Sequence, residues 1–301
     1  MRSRPVPKAR FAAIILIILV AGVVALLAAC PPETARTARS PAPPRAPVPV
    51  SPLPRTAPAG LPLHPQPEKL GLLAVIIDDA GYSLEELQAF LDLPGPLTIA
   101  VLPNLPHSRE ASRRIIAAGK DLILHCPMEA AGGEDPGPGA LRTGQSPAEV
   151  ESRLAAAFAS VPGAQGMNNH MGSLATTDEI LMTTVLGFLR REGKFYVDSR
   201  TTADTVGPRL ARELGVPFLQ RDIFVDDSTA DPDIAAAFGK GIAEARTRGQ
   251  SVLIGHVQNR GVADILRAEE KNFSAQGVRL ARLTDVLGEQ EGRPVSEDPR
   301  N

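Results

Sequence analysis

Ionisable residues stand where several short apolar runs of the sequence end. Asp78 and Asp79 follow LLAVII, His125 follows DLIL, and His256 follows VLIG. Two further runs, FYV and PFLQ, are followed by Asp198, Ser199, Arg200, Arg221 and Asp222. Because active sites of parallel α/β folds lie at the carboxyl ends of strands, we expect these side chains to share one site.

The adjacent carboxylates Asp78 and Asp79 suit two different roles, since one can bind a metal ion while the other accepts a proton. They would point in opposite directions on a regular strand, so this prediction requires the chain to turn there. We expect Arg200 to keep Asp78 ionised. The alternative is that Asp79 or Ser83 caps the following helix, but their place at a strand end favours the site.

Two histidines complete a familiar hydrolytic metal set. His125 and His170, with one Asp, leave coordination positions open for water. Glu129 is a further candidate ligand four residues beyond His125, whereas Cys126 is expected to point away from His125 and to be packed. His170 lies in GMNNHMGS, whose small and amide residues are typical of a tight loop over a site.

His256 lies far along the chain from the predicted ligands and suits a general acid. We expect Asp198 or Asp222 to orient it and to raise its pKa. In the alternative interpretation, Arg221 and Asp222 form a buried structural ion pair.

These side chains require strands that alternate with helices, and the chain has that pattern from Leu72 onward. Apolar runs rich in β-branched residues predict strands at LLAVII, LTIAVL, DLILHC, FYVDS, PFLQR and SVLIGH. Helical patterns start near Ser83 and Ser108 and cover 147–159, 178–192, 204–214, 232–248 and 261–275. Strands that are apolar on both faces predict a parallel sheet covered by helices, either doubly wound or closed into a barrel.

The first 69 residues differ in composition from the rest. Residues 1–30 hold four basic residues, no acidic residue and an uncharged run of 19 residues ending at a lipobox-like Leu27-Ala28-Ala29-Cys30. This segment predicts either a cleaved lipoprotein signal or an uncleaved anchor. Residues 31–69 contain 13 of the 29 prolines and predict a disordered linker.

Both alternatives place one domain, residues 70–289, on the periplasmic side of the inner membrane, and the polar residues 290–301 predict a disordered tail. From Leu70 on, 23 Lys and Arg stand against 32 Asp and Glu, so nucleic acid is not an expected partner. Two cysteines exclude a disulfide-stapled scaffold. The chain has no GxSxG elbow and no Walker A loop.

The chain resembles the divergent polysaccharide deacetylase family of bacterial envelope proteins. The resemblance is carried by VIIDDAGYS, IAVLP, GKDLILHCPME, GMNNHMGS, FYVDSRTT, RDIFVDD and IGH, spread from Leu72 to Leu287. It implies an α/β fold, the distorted (β/α) barrel of the polysaccharide deacetylase superfamily. It also implies that Asp78 and Asp79 supply a base and a metal ligand, that His125 is a ligand and that His256 is a general acid.

The sequence departs from the superfamily pattern at one place. The superfamily carries His-x-x-x-His after the third strand, and here those positions are His125 and Glu129. Either Glu129 binds the metal or His170 replaces the missing ligand from elsewhere. We favour His170, because one neutral imidazole then replaces another without changing the charge of the site.

The predicted activity is therefore removal of N-acetyl groups from an envelope polysaccharide such as peptidoglycan, with a divalent metal, expected to be Zn²⁺, held by Asp79, His125 and His170. Asp78 acts as base, and His256 protonates the leaving amine. The alternative is a non-catalytic envelope module that binds glycan or a protein. The absence of Trp and the presence of only two Tyr favour that alternative, since sugar sites usually stack rings on aromatic side chains. A metal-dependent amidase with another substrate is a third possibility.

Overall fold

The computed structural model describes residues 69–290 and residue 292. The predicted export segment 1–30, nearly all of the predicted linker 31–69 and most of the predicted tail 290–301 lie outside the described residues. Among the helices that are described, none combines the length and the apolar character needed to cross a membrane.

In the described part of the chain, nine parallel strands form one sheet. In chain order they are β1 Gly71–Ala80, β2 Thr98–Val101, β3 Asp121–Met128, β4 Gly166–Met171, β5 Phe195–Asp198, β6 Phe218–Gln220, β7 Ile223–Phe224, β8 Gln250–His256 and β9 Val278–Ala281. The strand order is β6-β5-β4-β3-β2-β1-β8-β7. On the edge of β1 opposite β8, β9 pairs with the first half of β1 and β2 pairs with the second half.

The sheet is a distorted barrel, as the sequence predicted. Its two edge strands, β6 and β7, are separated in the chain by residues 221 and 222 alone, so the sheet must curve until its edges approach each other. No ladder joins β6 to β7 within the described residues, and the barrel is therefore open between them.

Within the described residues, eight α-helices cover the strands: α1 Leu84–Leu91, α2 Ser108–Ala117, α3 Pro147–Ser160, α4 Glu179–Arg191, α5 Gly207–Leu214, α6 Asp231–Arg248, α7 Arg260–Glu269 and α8 Leu283–Gln290. The first seven follow the predicted helical patterns closely, although α7 ends earlier than expected, whereas α8 was not predicted. Ser83 caps α1 by accepting a hydrogen bond from the Glu86 N–H. The capping role considered for Asp79 thus belongs to Ser83.

The alternating residues of β1 divide the apolar core into two layers. Leu73, Val75 and Ile77 belong to the large cluster that includes the buried faces of the helices. Leu72, Ala74 and Ile76 belong to a smaller cluster inside the barrel, which also contains Leu283, Val286 and Leu287 of α8. Helix α8 therefore packs against the filled interior of the barrel.

Candidate active site

The two-layer core predicts which polar side chains meet at the carboxyl end of the barrel. Side chains two residues apart on a strand share a face. Asp78 follows the interior positions of β1, His125 follows interior Ile123, and His256 follows interior Ile254. All three therefore point to the interior. Asp198 follows Tyr196, which packs in the outer layer, and so points away.

Asp79 joins this site because the backbone of β1 changes direction there. Asp79 has a φ of 66°, in the left-handed region that non-glycine residues rarely occupy. The pairing register of β1 with β2 shifts between Ile77 and Ala80. Such strained backbone is concentrated at functional sites, and here it places two adjacent carboxylates in one cavity.

Asp79, His125 and His170 form a compact group of metal-ligand atoms. Asp79 Oδ1 lies 3.1 Å from His125 Nε2 and 3.0 Å from His170 Nδ1, and the two nitrogens are 3.1 Å apart. Although these distances are short, the buried Oδ1 accepts no hydrogen bond of good geometry from any described residue. The two imidazole nitrogens thus converge on the carboxylate oxygen without donating a hydrogen bond to it. This arrangement fits a divalent metal such as zinc.

His170 lies on β4 and not in a loop, so the predicted tight loop is wrong. Met167, Asn168 and Asn169 pair with β3, and the partner of His170 is Pro127. The sequence pattern did not predict β4, because its interior-facing residues, Asn168 and His170, are polar where the interior positions of a strand are usually apolar.

Asn168 is fully buried and connects the metal group to the second carboxylate. Its Nδ2 donates to Asp78 Oδ1 at 2.8 Å, and its Oδ1 lies 2.8 Å from His125 Nδ1. Because the carboxylate accepts, the Asn168 oxygen must face His125 and accept from its Nδ1–H. The proton of neutral His125 is thereby fixed on Nδ1, and the lone pair on Nε2 faces Asp79 and His170.

The two carboxylates differ in acidity. Burial raises the pKa of Asp78, which is 2% exposed, against the opposing effect of the His125 and His256 imidazoles. Burial acts in the same direction on Asp79, but the His125 and His170 imidazoles outweigh it and lower the pKa of Asp79 far below its usual range. Asp79 therefore remains an anionic ligand, while Asp78 is the better proton acceptor.

His256 is oriented by Asp226, not by Asp198 or Asp222 as expected. Asp226 Oδ1 lies 2.9 Å from His256 Nδ1, and Asp226 Oδ2 accepts from the His256 backbone N–H at 2.9 Å. Burial opposes protonation of His256, but Asp226 and Asp78 raise its pKa to about 9. The His256 side chain is still 37% exposed, so its free Nε2 edge is accessible.

Asp198 and Asp222 hold the surrounding chain instead. Asp198 accepts from the Arg200 backbone N–H at 2.8 Å and from Thr205 Oγ1 at 2.7 Å. Asp222 accepts from Arg248 Nη1 at 2.9 Å and from the Val252 N–H at 2.8 Å. The alternative of a buried Arg221–Asp222 ion pair is also wrong, because Asp222 pairs with Arg248.

Arg200 does not contact Asp78, so the expected ion pair between them is absent from the described residues. The polar partner of Asp78 is Asn168. Glu129 also lies outside the metal group: its Oε2 accepts from the backbone N–H and the hydroxyl of Thr143, at 2.8 and 2.7 Å. Cys126 is buried in the outer layer, as predicted.

Asn168 and Asp226 are the two residues of the site that sequence reasoning missed. Asn168 stands two residues before His170, on the same face of one strand. Asp226 lies in the RDIFVDD segment, but because β6 and β7 are so short, the sequence pattern did not show which acid of that segment reaches β8.

Comparison with known proteins gives consistent results. The model of the divergent polysaccharide deacetylase family matches residues 75–287. An uncharacterized protein of Haemophilus influenzae is 38% identical over 201 residues, which are 67% of this chain and 71% of that protein. The uncharacterized protein YibQ of Escherichia coli is 35% identical over 235 residues, 78% of this chain and 73% of that protein.

A solved structure shares the fold. The crystal structure of an uncharacterized protein from Agrobacterium tumefaciens superposes with a TM-score of 0.69 at 17% sequence identity. The match covers 73% of this chain and 91% of that one.

Proposed function

This chain belongs to the divergent polysaccharide deacetylase family, and we propose that it is a metal-dependent hydrolase that removes N-acetyl groups from an envelope polysaccharide such as peptidoglycan. The observation that carries the proposal is the convergence of Asp79, His125 and His170 beside a buried carboxylate, Asp78. His256, which pairs with Asp226, lies on the neighbouring strand β8 in register with Asp78.

The three ligand side chains would hold a divalent metal, which supplies Lewis acidity to polarise an acetyl carbonyl and to acidify water. Zinc is the proposed metal, because one carboxylate and two imidazoles are a common ligand set of catalytic zinc.

Asp78 is the proposed base. Because its raised pKa makes it a stronger proton acceptor than an ordinary carboxylate, it takes a proton from the attacking water as the new C–O bond forms. Asn168 donates to Asp78 Oδ1 and holds the carboxylate in place. Asp79 remains ionised as a proposed metal ligand and does not act as the base.

His256 is the proposed acid. With a pKa of about 9 it carries a proton at neutral pH, and its hydrogen bond to Asp226 leaves Nε2 free to donate. It protonates the amine nitrogen as the C–N bond breaks. The products are acetate and a free amino sugar.

The compartment belongs to the same proposal. An export segment at 1–30 and a Pro-rich linker at 31–69 would hold the domain on the periplasmic side of the inner membrane, within reach of envelope glycans. Membrane attachment through the segment or through lipid on Cys30 is proposed with it.

The test is release of acetate from N-acetylated glycans, peptidoglycan among them, by the purified protein supplied with zinc. The Asp78→Asn variant should bind the same glycans with unchanged affinity but release no acetate. If the wild-type protein releases no acetate while Asp78→Asn binds glycan normally, deacetylation is the wrong reaction.

One observation favours the alternative of a non-catalytic envelope module, and within that alternative it favours a protein partner over a glycan. Tyr196 is fully buried, so Tyr82, which is 56% exposed, is the one tyrosine of this chain available to stack on a sugar. A native protein purified without any metal would support that alternative, whereas one equivalent of metal that is lost in His170→Ala supports the enzyme.

A further inference from the structure

A cavity of about 330 Å³ lies beside the candidate site, between the segments that follow β5 and β6. It is lined by Arg200, Thr201, Thr202, Ala203, Arg221 and Asp222. Two guanidinium groups thus border one small cavity. The proposed hydrolysis assigns no role to either of them.

Arg221 is held in a fixed orientation. Its Nε donates to the Ser199 carbonyl at 2.7 Å, and its Nη2 donates to the Arg200 carbonyl at 2.9 Å. The guanidinium lies 3.8 Å from the centre of the Phe224 ring. Since two of the five N–H donors of Arg221 are used in these bonds, three remain for a ligand, and little conformational entropy is left to lose.

Two short chains of contacts connect the cavity to the proposed acid and base. Phe224, on which Arg221 lies, stacks on the His256 imidazole with ring centres 5.8 Å apart and planes at 24°. On the other side, Ser199 Oγ lies 3.3 Å from Asn168 Nδ2, which in turn holds Asp78.

Neither Arg200 nor Arg221 forms a direct ion pair in the described part of the chain. The negative charges that act on Arg221 from farther away are those of Asp227, Asp198 and Asp222. The nearest acids have their oxygens engaged elsewhere: Asp222 with Arg248 and the Val252 N–H, and Asp198 with Thr205 and the Arg200 N–H. Asp227, which borders the next cavity together with Arg221, is exposed.

We propose that Arg200 and Arg221 form a carboxylate-binding subsite, so that the substrate is an acidic N-acetylated glycan whose carboxylate lies close to the acetamido group. This inference rests on the proposed function, because it assumes the same reaction. Binding of the carboxylate by the two arginines does not itself require that reaction. A carboxylate suits the remaining donors, because a guanidinium edge offers two parallel N–H groups that match its two oxygens. Arg200, which is exposed and also lines the cavity, supplies the second charge.

The test compares one glycan with and without its charge. The probes are a tetrasaccharide of alternating N-acetylglucosamine and N-acetylmuramic acid and its carboxyl methyl ester, titrated calorimetrically into the full-length protein. We expect the acid to bind about tenfold more tightly than the ester, as for a charged hydrogen bond that is lost. Arg200→Gln should show a smaller preference for the acid than the wild type, and in the double variant Arg200→Gln with Arg221→Gln the acid and the ester should bind within about twofold of each other.

Arg153→Gln is the matched control, because Arg153 is an exposed arginine on α3 that does not line the cavity. It should keep the wild-type preference for the acid. Equal affinity for acid and ester in the wild type, or no measurable binding of either, overturns the subsite. The subsite is also overturned if the preference for N-acetylglucosamine 6-phosphate over N-acetylglucosamine exceeds the preference for the acid over the ester. That result would assign the cavity to phosphate.

Acetate release from the same two probes separates this inference from the proposed function. Selective binding of the acid without acetate leaves the subsite standing and contradicts the hydrolase. Acetate released at equal rates and with equal affinities from both probes supports the hydrolase and contradicts the subsite.

Discussion

Asn168 is the residue on which the chemistry of the metal group depends most closely. Its amide nitrogen donates to the Asp78 carboxylate and its amide oxygen faces the His125 imidazole. The bond to Asp78 therefore fixes which amide atom His125 meets. This arrangement keeps Nε2 of His125 unprotonated and facing the ligand cavity.

Replacing Asn168 with Leu should weaken the affinity for Zn²⁺ by about 10- to 100-fold, because the buried Nδ1–H of His125 loses its acceptor. Calorimetric titration of metal into stripped protein measures the change. Glu129→Gln is the control and should bind zinc as the wild type does, since Glu129 bonds Thr143 and not the ligand group. A larger loss in Glu129→Gln than in Asn168→Leu would make Glu129 the ligand.

Asp226 should determine the alkaline limit of activity. The pKa of His256 is raised to about 9, so the protonated acid is present below that pH and is lost as pH rises through it. In Asp226→Asn the His256 pKa should fall, and the alkaline limb of the kcat/KM profile should move down by about one pH unit or more.

Asp222→Asn is the comparison for this profile, because Asp222 bonds Arg248 and not His256. Its alkaline limb should stay where the wild-type limb lies. If Asp222→Asn moves the limb and Asp226→Asn does not, the orienting acid has been misassigned.

Residue types and spacing predicted which side chains converge as candidate metal ligands. They did not predict the residues that hold the side chains of the site in place. Asp79 and His125 are recognisable in the sequence because metal-binding residue types stand at the ends of apolar runs, whereas His170 was predicted as the replacement for the histidine missing from the superfamily pattern. The contacts of Asp226 and Arg200 depend on how the short segments after β5 and β6 turn, and no local pattern encodes those turns.

At the scale of the elements, strand periodicity decides which side chains reach the site. Every interior position of β1 before Asp78 is apolar and buried, so a shift by one residue would carry Asp78 out of the cavity. The strands with apolar runs were predicted from sequence. The polar β4, the two-residue β7 and the late β9 were not, since their stability comes from neighbouring strands.

The approach of β1 to α6 gives an element-scale prediction. A Cβ at Gly71 would lie 2.3 Å from the Ala245 carbonyl oxygen, which belongs to the helix backbone and has no rotamer to change. Gly71→Ala should therefore lower the free energy of unfolding by about 1–3 kcal/mol, as measured by urea denaturation.

Gly239 provides the opposite case within α6. A Cβ there meets no atom within 4 Å, so Gly239→Ala should raise the free energy of unfolding by up to about 1 kcal/mol through helix propensity. Equal stability of the two variants would contradict the close packing of β1 against α6.

At the scale of the whole molecule, the formal charge of −2 is an average over segments with different roles. A basic segment precedes a Pro-rich linker, and the domain that follows is acidic. The family and the barrel were predictable from motifs spread over that domain. The proposed periplasmic location rests on residues 1–30, which lie outside the described part of the chain.

Cys30 and Cys126 offer a matched test of the proposed lipidation. Cells that express the protein and are fed a radioactive fatty acid should label the wild-type chain, and Cys30→Ser should lose the label. Cys126→Ser should keep it, because Cys126 is buried and burial raises its thiol pKa to about 12. An unlabelled wild-type protein of full-length mass would instead support the uncleaved anchor.

We propose that Asp79, His125 and His170 hold a metal that the hydrolysis requires. The most direct measurement is the rate of acetate release from an N-acetylated envelope glycan as Zn²⁺ is titrated into metal-stripped protein. We predict a rate that rises in proportion to zinc and levels off at one equivalent per chain, with no rise in His170→Ala and a normal rise in His107→Ala, whose histidine precedes α2 and is not one of the three converging residues. Acetate release that is independent of zinc, or an unchanged titration in His170→Ala, would contradict the account.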